Sequence, residues 1–234
     1  MTRVRAVLLD AAGTLLRPRE PVGVTYARFA RMHGVDLPAW RIDDAFRRVL
    51  RAAPPMVFPN EAPARVEALE RGWWRDVVRA TFRAVDQSVR LADPESCFAA
   101  LFAHYAHPQA WLALPGAQSA LDALRRSDRS VAVLSNFDHR LPVLLDGLGL
   151  RVDRVLLPAE LGAAKPDLRC FERALERLGV AAAEAVYVGD DADLDLAAAR
   201  RASLRAIDAT SLATLAELPE RIAALEAAGE GRSA

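Results

Sequence analysis

Four short apolar runs along the chain predict buried strands, because each is rich in Val, Leu and Ala and stops at turn-forming residues. Asp10, Ser135, Pro158 and Gly189 are the first residues to follow them. The predicted strands are Val4–Leu9, Ser130–Leu134, Val155–Leu157 and Ala185–Val188.

Helical patterns occupy the stretches between these strands, where apolar residues recur every three or four positions. The predicted helices are Gly116–Arg126, Arg140–Leu148, Asp167–Leu178 and Asp193–Ala202. Strands that alternate with helices imply an α/β fold, a Rossmann-like, doubly wound parallel sheet with helices on both faces. Such sheets bind ligands at the carboxyl ends of their strands, where Asp10, Ser135 and Asp190 fall.

Residues 17–109 differ from the rest because they show helical periodicity without a convincing strand. The predicted helices here are Val22–His33, Trp40–Arg51, Ala64–Val85 and Pro94–His104. We expect an inserted helical cap domain, with residues 1–16 and 110–234 forming the α/β core domain. Its aromatic side chains are expected in its interior: Trp40, Trp73, Trp74 and Phe82.

Composition and charge exclude several classes of protein. The chain has 31 basic and 31 acidic residues, so it has no overall field to hold a nucleic acid. No run of about 18 apolar residues occurs, so neither export nor membrane spanning is expected. The two cysteines, Cys97 and Cys170, are too few for a disulfide framework and predict buried thiols in a reducing compartment, the cytoplasm. The oligomeric state is not indicated.

Lys165 is the only lysine, so the other 30 basic residues are arginines. A chain that uses Arg so consistently keeps Lys either where only a compact ammonium works or by chance. Composition alone favours neither interpretation.

The polar residues at the strand ends together provide the components of phosphoryl transfer. Asp10 offers a carboxylate nucleophile or metal ligand, and Ser135 offers a hydroxyl. Gly13 and Thr14 predict a tight turn with exposed N–H groups, and Lys165 adds a cation. An acidic cluster supplies the hard oxygen ligands that Mg²⁺ prefers: Asp190, Asp191 and Asp195. Taken singly, each motif is also ordinary turn or helix-cap chemistry.

The order of these motifs resembles that of the haloacid dehalogenase-like hydrolase superfamily. The segments LLDAAGTLL, VLSNFD, AAKPD and VYVGDDADLDLAAARRA are similar to its four motifs. The insertion lies where the helical-cap subfamily IA carries its cap. DAAGTLL, the following PVGVTYARFARMHGV and a downstream WW pair resemble the branch named for rhythmically expressed gene products.

This resemblance implies a mechanism. Asp10 would form a covalent aspartyl-phosphate, while Ser135 and Lys165 would hold the phosphoryl group. Mg²⁺ would be bound by Asp10, Asp190 and the main-chain carbonyl of Ala12. Two residues would lie behind these metal ligands: Asp191 and Asp195. Three residues would contact the small, anionic, phosphorylated substrate: Gly13, Thr14 and Asn136.

One position departs from the family pattern. Phosphatases of the superfamily usually carry a second aspartate two residues after the nucleophile, which protonates the leaving group and activates water. Here that position is Ala12. Loss of a general acid costs roughly 10²–10⁴ in rate for poor leaving groups. Asp138 and His139 are the nearest substitutes by sequence, although capping of the next helix is the more ordinary role for them.

Several functions stay open at this point. Dehalogenases of the superfamily also lack that aspartate, but they typically carry Tyr there and lose the acidic motif, which is intact here. Phosphonoacetaldehyde hydrolases use a cap lysine, and this insertion has none. A non-catalytic binding or regulatory protein is the alternative from another class. The sequence favours an Mg²⁺-dependent phosphohydrolase that acts on activated phosphates, such as acyl phosphates, or borrows an acid from another residue.

Overall fold

A five-stranded parallel sheet forms the centre of one part of the chain in the computed structural model, which describes residues 3–59 and 61–230. The strands, in chain order and including a separate two-stranded sheet, are β1 Ala6–Leu9, β2 Leu16–Pro18, β3 Trp111–Ala113, β4 Ser130–Leu134, β5 Arg154–Leu156, β6 Ala185–Gly189 and β7 Arg205–Asp208.

The large sheet has the order β5-β4-β1-β6-β7, and its neighbouring strands are parallel. Leu9, near the end of β1, pairs with Val133 on β4 and with Val188 on β6. Strands β1 and β6 are wholly buried, as central strands covered on both faces must be. The predicted parallel, Rossmann-like α/β class is confirmed.

Helices flank this sheet and belong to the same unit, which comprises the chain up to Arg17 and from Ala113 onward. They are α5 Ala117–Arg126, α6 Leu141–Gly147, α7 Pro158–Leu161, α8 Leu168–Leu178, α9 Ala198–Arg201 and α10 Leu218–Glu230, numbered after the four helices of the other unit. One prediction is wrong: in place of a single helix over residues 193–202, a π-helical segment, Ala192–Ala197, precedes the short α9.

The second unit, Pro18–Leu112, is helical. Its helices are α1 Val22–Met32, α2 Ala39–Ala52, α3 Pro63–Val85 and α4 Pro94–His104. Phe82 lies in its apolar interior as predicted, but Trp40 is 66% exposed, which corrects the expectation for that residue. Trp40 lies two positions before the buried Ile42, and two positions turn a helix by roughly 200°, so its side chain points outward. The role of this unit as a cap stays a prediction.

The short strands β2 and β3, each of three residues, are not predicted from the sequence and pair with each other. Both cysteines are buried and free, as predicted, and burial raises the pKa of Cys97 to about 11 and that of Cys170 to about 12. Across the described residues we find no helix with both the length and the apolar character needed to cross a membrane.

Candidate active site

Lys165 lies at the centre of a buried cluster of charges in the α/β unit, with 5% of its surface exposed. Its Nζ donates hydrogen bonds to Asp10 Oδ1 at 2.7 Å and to Asp195 Oδ1 at 2.5 Å. A third bond runs to the hydroxyl of Tyr187 at 2.8 Å. An ammonium group has three N–H donors, so each of them has an acceptor within the protein.

The sheet brings these residues together. Asp10 directly follows β1, and Tyr187 lies within the neighbouring β6. Asp195 comes from the π-helical segment after β6, and Gly189 makes room for it, since a Cβ at Gly189 would lie 2.5 Å from Asp195 Oδ2. The cluster therefore forms at the carboxyl edge of the sheet, the edge at which parallel sheets bind their ligands.

Asn136 holds the main chain of Lys165. Its Nδ2 donates to the carbonyl of Lys165 at 2.8 Å, and its Oδ1 accepts from the N–H of Lys165 at 2.8 Å. Both polar atoms of the Asn136 side chain therefore have partners within the protein. Substrate binding by Asn136 stays a prediction. Ser135 follows β4, the other neighbour of β1, and is 5% exposed.

The loop after β1 packs against Asp190. The hydroxyl of Thr14 donates to Asp190 Oδ1 at 2.9 Å. Gly13 has φ 99°, and a Cβ there would lie 2.3 Å from Asp190 Oδ2, so only glycine fits. The predicted exposed N–H groups are wrong, because that of Gly13 donates to Leu16 O at 2.9 Å and that of Thr14 to Ala11 O at 3.3 Å. A tight loop uses its own donors to close the turn, and substrate binding by Gly13 and Thr14 stays a prediction.

Three carboxylates could hold a metal ion here: Asp10, Asp190 and Asp195 each offer one oxygen, all within 4.8 Å of one another. With Lys165 as the adjacent ammonium, two negative charges are left uncompensated. Hard oxygen donors and this charge fit a divalent cation such as Mg²⁺. Asp191, which is predicted to lie behind the metal ligands, is not one of these three carboxylates. Its Oδ1 accepts from the N–H groups of Asp193 and Leu194 and caps the π-helical segment.

Burial and charge repulsion shape the ionisation of the site. Burial raises the pKa of Asp10, Lys165 opposes this, and Asp195 adds to it. The pKa of Asp190 is also raised, by burial and then by Asp10 and Asp195 despite the bond from Thr14. Burial is the larger cause at both carboxyl groups and repulsion between them adds to it; a bound cation would favour their ionised forms.

The cation and the phenol of the cluster keep their protons. Burial would lower the pKa of Lys165, but Asp10 and Asp195 outweigh it and the pKa is raised. The pKa of Tyr187 lies well above its usual value because of burial and of the same two carboxylates. Lys165 is therefore a fixed ammonium, and Tyr187 a neutral hydroxyl.

Of the two residues considered as substitutes for the missing acid, Asp138 is held by other contacts. Ala12 is exposed and its methyl group carries no proton to donate. Asp138 is fully buried, and its two oxygens accept from Nε and Nη2 of Arg140 at 2.9 and 2.6 Å. A carboxylate held in this way must break two charge-assisted bonds before it can transfer a proton. His139 is partly buried beside it.

Two sets of contacts in this cluster were not predicted from the sequence. One is the hydrogen bond from Lys165 Nζ to the Tyr187 hydroxyl, and the other is the pair of hydrogen bonds between the Asn136 amide and the main chain of Lys165. Tyr187 carried one usable signal, a hydroxyl in the otherwise apolar strand AVYVG. A buried hydroxyl needs a partner, so its position next to the GDD motif could have indicated a role at the strand ends.

Comparison with known proteins agrees with the geometry. The family model for haloacid dehalogenase-like hydrolases matches residues 4–203. Haloacid dehalogenase-like hydrolase domain-containing protein 3 of Mus musculus is 38% identical over 195 residues, which cover 80% of this chain and 74% of the relative. The Rhythmically expressed gene 2 protein of Drosophila melanogaster is 25% identical, with 86% of this chain and 80% of that protein covered.

Solved structures share the fold. The L-2-haloacid dehalogenase of Xanthobacter autotrophicus superposes with a TM-score of 0.65 at 20% identity, covering 94% of this chain and 83% of that one. The chain thus belongs to the haloacid dehalogenase-like hydrolase family. The resemblance predicted from the four motifs is confirmed, and with it the general class of hydrolase.

Proposed function

We propose that this protein is an Mg²⁺-dependent phosphohydrolase that transfers a phosphoryl group from a small phosphorylated substrate to Asp10 and then to water. One observation carries the proposal. The Asp10 carboxylate is buried at the carboxyl edge of the sheet, accepts a hydrogen bond from Lys165 and lies close to Asp190. Membership of a hydrolase family supports the reaction class.

The proposed reaction has two displacements at phosphorus. Lys165 holds Oδ1 of Asp10, and Oδ2 attacks the phosphorus atom of the substrate. The bond from phosphorus to the leaving group breaks, and the leaving group departs with the electron pair. Water then attacks the phosphorus atom of the aspartyl-phosphate and loses a proton to solvent. The bond between phosphorus and Oδ2 breaks, its electron pair returns to the Asp10 carboxylate, and inorganic phosphate is released.

We assign different tasks to the three carboxylates. Asp10, Asp190 and the carbonyl of Ala12 would hold Mg²⁺, which when bound would neutralise charge on the phosphoryl oxygens. Asp195 acts behind them, because its Oδ1 already accepts from Lys165 and Tyr187 and its Oδ2 from a main-chain N–H. Ser135 would donate its hydroxyl to the phosphoryl group.

Ala12 limits the substrates that this site can use. An alkoxide is a poor leaving group unless an acid protonates it, whereas a carboxylate or an aryl oxide departs readily. Asp138 is bound to Arg140 through both oxygens and so does not replace the missing acid in this arrangement. We therefore propose activated phosphates, acyl phosphates above all, as the substrate class.

We also propose that the helical unit, Pro18–Leu112, is the cap domain that selects the substrate. Its resemblance in sequence position to the caps of the family supports this. The cytoplasmic location stays a prediction from the cysteine content.

A substrate panel tests the proposed reaction. Acetyl phosphate, p-nitrophenyl phosphate, an alkyl phosphate and 2-chloropropionate are each assayed with Mg²⁺ and with EDTA, and phosphate and halide release are followed. We expect phosphate release from the acyl and aryl compounds only when Mg²⁺ is present. Halide release without phosphate release would make the protein a dehalogenase, and no turnover of any compound would favour a binding or regulatory protein.

A further inference from the structure

The hydroxyl of Tyr187 joins the charge cluster from its buried side. Tyr187 has no exposed surface, so it cannot touch a substrate. Its oxygen lies 2.8 Å from Lys165 Nζ, 2.8 Å from Asp195 Oδ1 and 3.3 Å from the carbonyl of Leu134. A phenol has one proton, so it can donate to Asp195 while it accepts from Lys165.

We propose that Tyr187 is a positioning residue that fixes the ammonium of Lys165 and, through it, the carboxylate of Asp10. The proposal rests on the function proposed above. Two of the three N–H donors of Lys165 point to Tyr187 and Asp195, and the third points to Asp10. A flexible lysine is thereby reduced to one orientation, which orients the nucleophile.

The ring of Tyr187 is held in place independently of its hydroxyl. Phe171 packs against it edge to face, with ring centroids 5.3 Å apart and an interplanar angle of 72°. Both rings belong to the apolar core between β6 and α8. Tyr187→Phe should therefore keep the ring where it is and remove one oxygen, leaving an N–H of Lys165 without its acceptor.

A purely structural role would give a different result. If Tyr187 only fills the core and satisfies Asp195, its replacement lowers stability and leaves Lys165 and the reaction unchanged. Val186→Ala is a matched control for this role, because Val186 is fully buried in the same strand and its side chain points to the opposite face of the sheet.

The single lysine makes a direct test possible. With ¹⁵N-lysine labelling and a lysine-free tag, the chain contains one side-chain ammonium, that of Lys165. We expect Tyr187→Phe to shift its Nζ resonance and to speed exchange of its protons about 10-fold, as a lost hydrogen bond should. Val186→Ala should leave the resonance in place. In the unmodified protein, a nuclear Overhauser contact is expected between the Nζ protons and the Tyr187 hydroxyl.

Kinetics on p-nitrophenyl phosphate complete the experiment. We expect kcat to fall about 10-fold in Tyr187→Phe with KM nearly unchanged, because orientation is lost and no substrate contact is removed. Val186→Ala should lower the unfolding temperature and keep kcat. An unchanged Nζ resonance or an unchanged kcat in folded Tyr187→Phe, or a missing Overhauser contact, would overturn the proposal. If the unmodified protein hydrolyses no phosphate, the proposed function fails, and the resonance still decides whether Tyr187 holds Lys165.

Discussion

The two units of the chain differ in what they bury. Among the described residues, the helical unit buries one charged side chain, Glu70, whereas the α/β unit buries five. Those five are Asp10, Asp138, Arg140, Lys165 and Asp195. The interior of the helical unit is instead an apolar cluster that includes Tyr26, Ile42, Phe98 and Leu101.

The buried charges lie where the chain gives up stability for chemistry. Removing charges from water costs several kcal/mol per ion, and pairing does not always recover that cost. The α/β unit nevertheless places two of its buried carboxylates, Asp10 and Asp195, around one buried lysine at a single edge of the sheet. We therefore expect substitutions in the charge cluster to change activity far more than stability, and substitutions in the helical interior to do the reverse.

Asp10→Asn should give the largest effect. The amide is no nucleophile, so phosphatase turnover should fall by more than roughly 10³-fold. The free energy of unfolding should change by less than about 1 kcal/mol, because a carboxylate whose pKa burial already raises is replaced by a neutral group of the same shape. Steady-state kinetics and denaturant unfolding measure the two quantities.

Leu101→Ala in the helical interior is the contrasting variant. Leu101 is buried, and such truncations cost about 2–5 kcal/mol through lost burial and the cavity left behind.

For Asp10→Asn itself, near-native turnover would show that the nucleophile has been assigned to the wrong residue.

Lys165→Arg should follow in size. A planar guanidinium cannot place three donors on Asp10, Asp195 and Tyr187 within the space of an ammonium, so we expect turnover to fall on the order of 10²-fold. Arg126→Lys, an exposed exchange in the opposite direction at the end of α5, is the control and should change nothing. Equal activity in both variants would mean that the lone lysine is an accident of composition.

Ala12→Asp should give a smaller, selective effect. An added acid should speed alkyl phosphates by about 10- to 100-fold relative to acyl phosphates, because only alkoxides need a proton to depart, whereas activation of water serves both substrates alike. The position is exposed, so the larger side chain has room. Ala183→Asp, at an exposed position near the amino end of β6, controls for the added charge. A series of leaving groups with flat rates, unchanged by Ala12→Asp, would contradict the account of a missing acid.

Strands could be predicted from the sequence where most of their positions are apolar. β1, β4, β5 and β6 are of this kind, and each prediction agrees with the structure to within two residues at either end. β7 was not predicted, because two of its four residues, Arg205 and Asp208, are charged. Such a strand lacks the apolar run by which the other strands are recognised.

The pattern of strands could place together only the site residues that directly follow a strand, which are Asp10, Ser135 and Asp190. Lys165 and Asp195 were instead predicted from their charge and from the family resemblance. The contacts of Lys165 with Tyr187 and Asn136 join residues 22 and 29 positions apart and depend on how strands and loops register in space. The π-helical segment was also invisible, because residues 193–202 keep a helical pattern and the contact of Asp195 with Lys165 is tertiary.

Mg²⁺ should give the smallest effect, a rise in thermal stability that depends on Asp190. Because burial and neighbouring carboxylates raise the pKa of Asp190, its ionisation costs stability as the pH rises through that raised value. A cation present at ten times its Kd adds about 1.4 kcal/mol, which corresponds to about 3–6 °C in Tm for a protein of this size. Thermal unfolding with MgCl₂, compared with NaCl of equal ionic strength, should show the rise at pH 7 and less of it at pH 5.

Asp190→Asn should abolish the rise in Tm with Mg²⁺, whereas Asp191→Asn should keep it, because Asp191 caps the π-helical segment and asparagine caps equally well. An equal rise in both variants would place the ion elsewhere and remove Asp190 from the proposed metal ligands.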